Sequence, residues 1–385
     1  MVRFNLAVPG DIRFGAGRVS EVPSALADLG VRRVMVVTGR TTSRADAIRS
    51  ALKEADLSSV VFGVATEPSI ERLRGCVDLI LETGCDALLG FGGGSALDIA
   101  KAAAVLATSG TDPLEHLEVI GSGRPIERPG LPCIAVPTTA GTGSEVTRNS
   151  VLSGSGVKAS LRSPLLLPKL ALIDPDLLVG VPSSTIAASG MDALSQLVEP
   201  LLSRRANPFT DALARDGIRR SARSLRRAYQ EGMEDAGVRE DLAMASLFSG
   251  ICLANAGLGA VHGLAAAAGA RLSAPHGAVC AAALAAAMDV NLSALRGRAS
   301  DHPALQRMTE LAILLTGQPE ATPEDAIAWL QELTAALSIP GLASYGLDHD
   351  QIAEVVEAAQ RASSMQANPI ELDDDDVTEI VTRSL

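Results

Sequence analysis

Ala87-Leu88-Leu89-Gly90-Phe91-Gly92-Gly93-Gly94-Ser95-Ala96-Leu97-Asp98-Ile99-Ala100-Lys101 is the stretch on which the fold turns. Its opening residues are an apolar run of strand length, and its closing residues have helical spacing. Three consecutive glycines stand between them. They allow a tight backbone turn and leave room for a ligand to approach the main chain. The helix that follows presents N–H groups and the positive end of its dipole, a setting suited to a pyrophosphate. The spacing is not G-x-G-x-x-G, so the strand–glycine–helix context carries this reading.

Upstream, Val34-Met35-Val36-Val37-Thr38 is a β-branched run of the kind buried on both faces of a parallel sheet. Short extended segments are expected at 3–8 and 12–15, a strand at 59–63, and helices at about 20–29, 42–55 and 69–83. Downstream, Cys133-Ile134-Ala135-Val136 is a further strand. It leads into the polar loop Pro137-Thr138-Thr139-Ala140-Gly141-Thr142-Gly143-Ser144-Glu145-Val146-Thr147. This alternation predicts a doubly wound, Rossmann-like parallel sheet in an α/β domain over residues 1–180. From Asp174-Pro175 and Val181-Pro182 onward the strand signals fade. Ser183 and Ser184 can cap a helix through Leu202. Helical patterns follow near 208–229, 236–256, 259–270, 277–290, 304–316, 323–337 and 349–362, which predicts an all-helical domain over 181–385. The run Asp373–Asp376 caps or precedes a last helix.

A chain of 385 residues exceeds one ordinary core, and 47% hydrophobic with 20% charged residues is a globular balance. The net charge of −12 argues against nucleic acid as a partner, since phosphates need a basic surplus. Five scattered cysteines without a CxxC pair read as reduced and cytoplasmic. No apolar leader is expected at the N-terminus. The apolar stretch Leu253–Met288 is interrupted by His262, Arg271, Pro275 and His276, so it reads as buried helix and not as a membrane span.

Within the helical half, Asp192 and Gln196 of Gly190-Met191-Asp192-Ala193-Leu194-Ser195-Gln196 are four apart and share a helix face. His262 and His276, two of five histidines, lie in glycine-flanked apolar segments. An aspartate, a carboxamide and two imidazoles converging there make a divalent-metal site. In the polar loop, Thr138, Thr139, Thr142 and Ser144 supply hydroxyl donors without bulk, suited to a nucleotide. Lys158 in the segment that follows is a further candidate.

Taken together and in order, these blocks resemble the iron-containing (group III) alcohol dehydrogenase family over nearly the whole chain. The match runs from Gly92-Gly93-Gly94-Ser95 with Asp98 and Lys101, through Pro137–Glu145, Asp174-Pro175, Gly190–Leu194, Asn207-Pro208, Asn255–Gly259 and His262-Gly263, to Pro275-His276-Gly277 and Asn368-Pro369. The resemblance implies a dehydroquinate synthase-like architecture whose first domain binds NAD or NADP. Its second domain would hold a divalent metal, Fe²⁺ first and Zn²⁺ second, on Asp192, His262 and His276. The implied reaction is reversible hydride transfer between a small primary alcohol and its aldehyde, in a homodimer or larger assembly.

Three departures stand out. The fourth ligand position, usually His, is Gln196. A position suspected of proton relay is Ala266. The acidic residue that NAD-specific members carry after the second strand is replaced by Gly39-Arg40, which implies that NADP(H) is tolerated. Alternatives are a metal-independent reductase resembling maleylacetate reductases and a sugar-phosphate cyclising lyase resembling dehydroquinate synthases.

Overall fold

The aliphatic runs of the first half fold as strands because both of their faces find helices to bury against. The computed structural model describes residues 3–65, 67–154, 157–269, 271–272 and 274–385. In chain order the elements are β1 (Ile12–Phe14), α1 (Val22–Asp28), β2 (Arg33–Thr38), α2 (Asp46–Glu54), β3 (Ser58–Gly63), α3 (Ile70–Thr83), β4 (Ala87–Gly92), α4 (Gly94–Ser109), β5 (Cys133–Pro137), β6 (Asn149–Gly154), β7 (Val157–Arg162) and β8 (Leu170–Ile173). Six strands pair in parallel in the order β1-β8-β5-β4-β2-β3. Alternate residues of β2 enter opposite cores. Met35 and Val37 join Leu88 and residues of α3 and α4, while Val34 and Val36 join Leu89, Ile134 and residues of α1 and α2.

The strand order places the functional end of this unit. From β2 the chain steps outward to β3, then returns across β2 to β4 and continues to β5 and β8. The crevice beyond the carboxyl ends of β2 and β4 is therefore the topological switch point, where doubly wound sheets bind ligands. Gly39-Arg40 leave β2 there, and Gly92-Gly93-Gly94 leave β4.

One expectation fails in this half, and one element was not foreseen. No strand forms among the described residues of 3–8; only Ile12–Phe14 pairs, against β8. An antiparallel hairpin, β6 with β7, was not expected at all. Its serines and terminal glycine read as loop composition, yet Leu152, Ala159 and Leu161 bury one face in the core.

By contacts the chain divides into two compact units. One comprises Ala7–Thr139 with Gly143–Val179; the other comprises Gly180–Leu385, with the N-terminal residues up to Leu6 and Ala140–Thr142. The second unit is helical: α5 (Ser183–Leu202), α6 (Pro208–Glu231), α7 (Ala236–Ala256), α8 (Ala260–Ala268), α9 (His276–Arg298), α10 (Pro303–Thr316), α11 (Pro323–Ala336), α12 (Ile352–Gln360) and α13 (Asp374–Arg383). Helix α5 packs against α6, α7 and α9 and is central to it. Pro182, not Ser183 or Ser184, occupies the cap position of α5. Asp373 caps α13 in a box with Asp376, as the charge run suggested. Helix α9 runs beyond the expected end and is long and apolar enough to cross a membrane by length and composition alone. Of its most apolar window, 83% is buried within the protein, which marks it as a core helix.

Candidate active site

Asp192, Gln196 and Glu199 follow one another at helical spacing on α5, and all three are buried. A row of polar groups on a core-facing stripe must find partners. Asp192 finds them on α8 and α9. Its Oδ1 is 3.3 Å from His262 Nε2, 3.8 Å from His276 Nε2 and 3.7 Å from Cys280 Sγ. The two imidazole centroids are 5.5 Å apart. Helix α9 comes this close because it begins with His276-Gly277, and a Cβ at Gly277 would overlap the Ala188 carbonyl of α5.

Glu199 is the residue that the sequence reading missed on this helix. Its Oε2 lies 2.5 Å from His262 Nδ1, and its Oε1 accepts the Val261 N–H at 2.8 Å. A carboxylate holding Nδ1–H fixes the tautomer and leaves the Nε2 lone pair facing Asp192 and Cys280. Lone pairs of an imidazole and a carboxylate cannot face each other at 3.3 Å without a cation or a proton between them. The signal available in sequence was the i, i+7 spacing from Asp192, which puts Glu199 on the same face.

The electrostatics say the same. Burial works against the ionised forms of His262 and His276. The charge of the adjacent Cys280, with Glu199 and Asp192 at His262 and Asp192 at His276, reverses the balance and holds both above the ordinary range. Burial also pushes Cys280 up, as it does Cys76 and Cys133, each raised to about 12. Its two imidazole neighbours pull Cys280 back below the usual thiol value. Asp192 is held low by His262 and His276, and further by a hydrogen bond from Gln196, against the burial that opposes it.

Asp192, His262, His276 and Cys280 thus present one donor atom each, all within 4.8 Å of one another. Gln196 adjoins them through its hydrogen bond to Asp192. Its Oε1, the atom that would bind a metal, is 3.2 Å from the Ser249 hydroxyl, which also reaches Ser246 O at 2.8 Å, and the carboxamide bonds to Asp192. The donor set suits a divalent transition metal, since carboxylate, imidazole and thiolate are the ligands zinc-type sites use. Access is from one side: the His276 side chain is 37% exposed, against 3% for Asp192 and 7% for His262. Ala266 is exposed, so solvent reaches the position where a relay imidazole was expected.

In the α/β unit, the structure brings Gly39, Gly92, Gly93, Thr138 and Thr139 together at the switch point. Thr138 N–H donates to Gly92 O at 3.0 Å. A Cβ on Gly92 would lie 2.8 Å from Ala96 Cβ and 3.3 Å from Gly39 N, and one on Gly93 would lie 3.3 Å from Thr139 Oγ1. Gly94 and Ser95 open α4, which no side chain caps, so its first turn is available to an anion. Arg40 is exposed.

Asp98 and Ser144 bind each other. Ser144 Oγ donates to Asp98 Oδ1 at 2.5 Å, and Asp98 Oδ2 accepts the Val151 N–H at 2.9 Å. Both residues fasten the polar loop to α4. The buried Lys101 reinforces them through Ser144 O at 2.8 Å, Thr147 Oγ1 at 3.0 Å and Asn149 O at 2.5 Å. Lys158 sits on β7, 2.7 Å from Glu67, in an ion pair at the unit's surface. Thr142 falls in the short segment Ala140–Thr142 that clusters with the helical unit.

Glu145, in the same loop, is buried, and burial raises its carboxyl to about 7 against the pull of Lys101. A carboxyl raised in the folded state keeps its full contribution below the unfolded value near 4.5 and loses it as pH climbs to about 7. Glu145→Gln is therefore expected to flatten the stability–pH curve across that window and to gain on the parent by about 3 kcal/mol at pH 8, at roughly 1.4 kcal/mol per pH unit. Urea unfolding at pH 4.5, 6 and 8 checks it; parallel curves for the two proteins contradict it.

A doubly wound sheet with a glycine turn at its switch point suits a nucleotide, and the Asp–His–His–Cys cluster of the helical unit could hold a metal ion. Comparison with known proteins agrees. Residues 9–175 match "Iron-containing alcohol dehydrogenase", and residues 186–385 match "Fe-containing alcohol dehydrogenase family, C-terminal". The chain belongs to the iron-containing alcohol dehydrogenase family and is an oxidoreductase of alcohols and aldehydes.

The NAD-dependent methanol dehydrogenase of Bacillus methanolicus is 30% identical over 99% of this chain and 100% of its own. Alcohol dehydrogenase 4 of Schizosaccharomyces pombe is 31% identical over 97% of this chain and 87% of its own. Among solved structures, a 1,3-propanediol oxidoreductase superposes with TM-score 0.92 at 31% identity, covering 100% of both chains. The sulfoacetaldehyde reductase of Bifidobacterium kashiwanohense, solved with NAD⁺, gives 0.88 at 27%, covering 100% of this chain and 99% of its own.

Proposed function

We propose that the chain catalyses reversible hydride transfer between NAD(H) or NADP(H) and a small primary alcohol or its aldehyde, assisted by a divalent metal on Asp192, His262 and His276. The convergence of those three donors in one buried pocket carries the reading. A divalent metal bound there supplies Lewis acidity toward the substrate oxygen. Glu199 holds His262 in the tautomer that directs Nε2 into the pocket, and Gln196 orients the Asp192 carboxylate. The half-exposed His276 leaves the pocket open on one side, which admits a small substrate. The proton leaves to solvent, since Ala266 provides no acid or base.

On the nucleotide side, Gly92, Gly93, Gly94 and Ser95 hold the pyrophosphate at the N-terminus of α4, with Thr138 and Thr139 beside it. Asp98 and Ser144 act on the nucleotide by fixing the loop. Arg40, exposed after β2, accepts a 2′-phosphate as readily as a hydroxyl. Buried, unpaired thiols suit a reducing cytoplasm, and the enzyme acts there as a homodimer or larger assembly.

The test is NAD(P)H-linked reduction of short aldehydes before and after exhaustive chelation. Activity lost with the metal and restored by a single added divalent ion is expected. Full activity in metal-free protein contradicts the metal-assisted reaction and favours the reductase of the maleylacetate type.

A further inference from the structure

The pocket holds one more donor than the resemblance assigns. Cys280 lies one turn after His276 on α9, and its Sγ is 3.7 Å from Asp192 Oδ1 and 3.8 Å from Nε2 of both His262 and His276. Together with His262–Asp192 at 3.3 Å and His276–Asp192 at 3.8 Å, five of the six edges of a four-atom figure are known. A tetrahedral metal with nitrogen and oxygen donors at about 2.0–2.1 Å and sulfur at about 2.3 Å spaces its donors roughly 3.3–3.6 Å apart. Every observed edge lies within about half an ångström of that spacing.

We propose that Cys280 is the fourth protein ligand, in the place left by Gln196, and that the resident metal is Zn²⁺ and not Fe²⁺. This rests on the reading that the pocket holds a divalent metal. The ligand pair has moved between helices: in place of a donor four residues after Asp192 on α5, the chain offers one four residues after His276 on α9. Gln196 is free to change because its carboxamide is engaged by Ser249 and Asp192. On binding, the thiol releases its proton to solvent and no electron moves. Two anionic donors balance a dication, and a thiolate in a tetrahedral nitrogen, oxygen and sulfur set selects zinc over iron.

The full-length protein, stripped with chelator and loaded with Co²⁺ alone, reads the inference directly. One cobalt per chain with an intense near-ultraviolet sulfur-to-cobalt absorption is expected. Cys280→Ser and Cys280→Asp should lose that band, with the aspartate variant still binding cobalt; Gln196→Ala should keep it. Metal analysis of the protein as isolated should find zinc. Cobalt bound at one per chain without the band overturns the thiolate ligand while sparing the metal site. No cobalt bound overturns the site itself, and iron in the isolated protein overturns the choice of metal. Should Cys280→Ser fail to fold, the Cys280→Asp and parent spectra decide.

Discussion

Asp192→Asn should lower aldehyde reduction by about 10³-fold or more while leaving the fold intact. The carboxylate lies against both imidazoles and the Cys280 sulfur, so its loss takes a charge-bearing corner from the pocket. Metal Lewis acidity is worth several kcal/mol at the transition state, and each 1.4 kcal/mol is about tenfold in rate. The amide keeps the shape of the side chain and removes one of the buried negative charges, so no orphaned anion is created. Metal per chain and NAD(P)H-linked rate, measured with the melting temperature, check this. A variant that keeps both metal and rate contradicts the assignment of Asp192.

The second large effect lies in the α/β unit. Lys101→Met should destabilise the protein by about 3–5 kcal/mol, the usual result of removing one partner from a buried charged pair. The Lys101 side chain is wholly buried, with its ammonium 3.3 Å from Asp98 and bonded to the carbonyls of Ser144 and Asn149. Burial pulls its pKa down and Asp98 pulls it back up. Methionine fills the same volume but takes the cation from beside Asp98, which keeps only Ser144 and Val151 as donors, and leaves two carbonyls without the ammonium. Because these bonds fasten the polar loop to α4, the KM for the nicotinamide nucleotide should rise as well. Denaturant unfolding and cofactor titration measure the two effects, and unchanged stability contradicts the role given to Lys101.

The central sheet was legible in the sequence for a physical reason. Strands such as Val34–Val37 and Leu88–Phe91 are buried on both faces, so every residue is apolar and no alternation is needed to recognise them. The glycine triplet fixed the turn, and the helices of the second half announced themselves by period. The β6–β7 hairpin escaped because it buries only one face and carries serines that elsewhere mean loop. Asp192, His262 and His276 were legible from residue type and the resemblance. Cys280 was not, because a single cysteine in an alanine-rich helix looks like a small apolar residue. Its meaning depends on α9 crossing α5 at Gly277, a contact between residues far apart in sequence. Asp98 and Ser144 show the opposite case: the motif marks them, but only three dimensions show that they bind each other.

The reading of Gln196 changes most between sequence and structure. By position it is a weakened metal ligand. In space it also supports Asp192, to which its carboxamide bonds, with the Ser249 hydroxyl 3.2 Å from its oxygen. The donor it fails to supply stands one helix away.

Transfer of deuterium from a reduced nicotinamide labelled at C4 to a short aldehyde tests the central claim most directly. The account predicts one deuterium on the carbinol carbon of the product, delivered from one face of the ring, in protein carrying its metal and not in Asp192→Asn. Product without label, or consumption of the labelled cofactor with no alcohol formed, contradicts it.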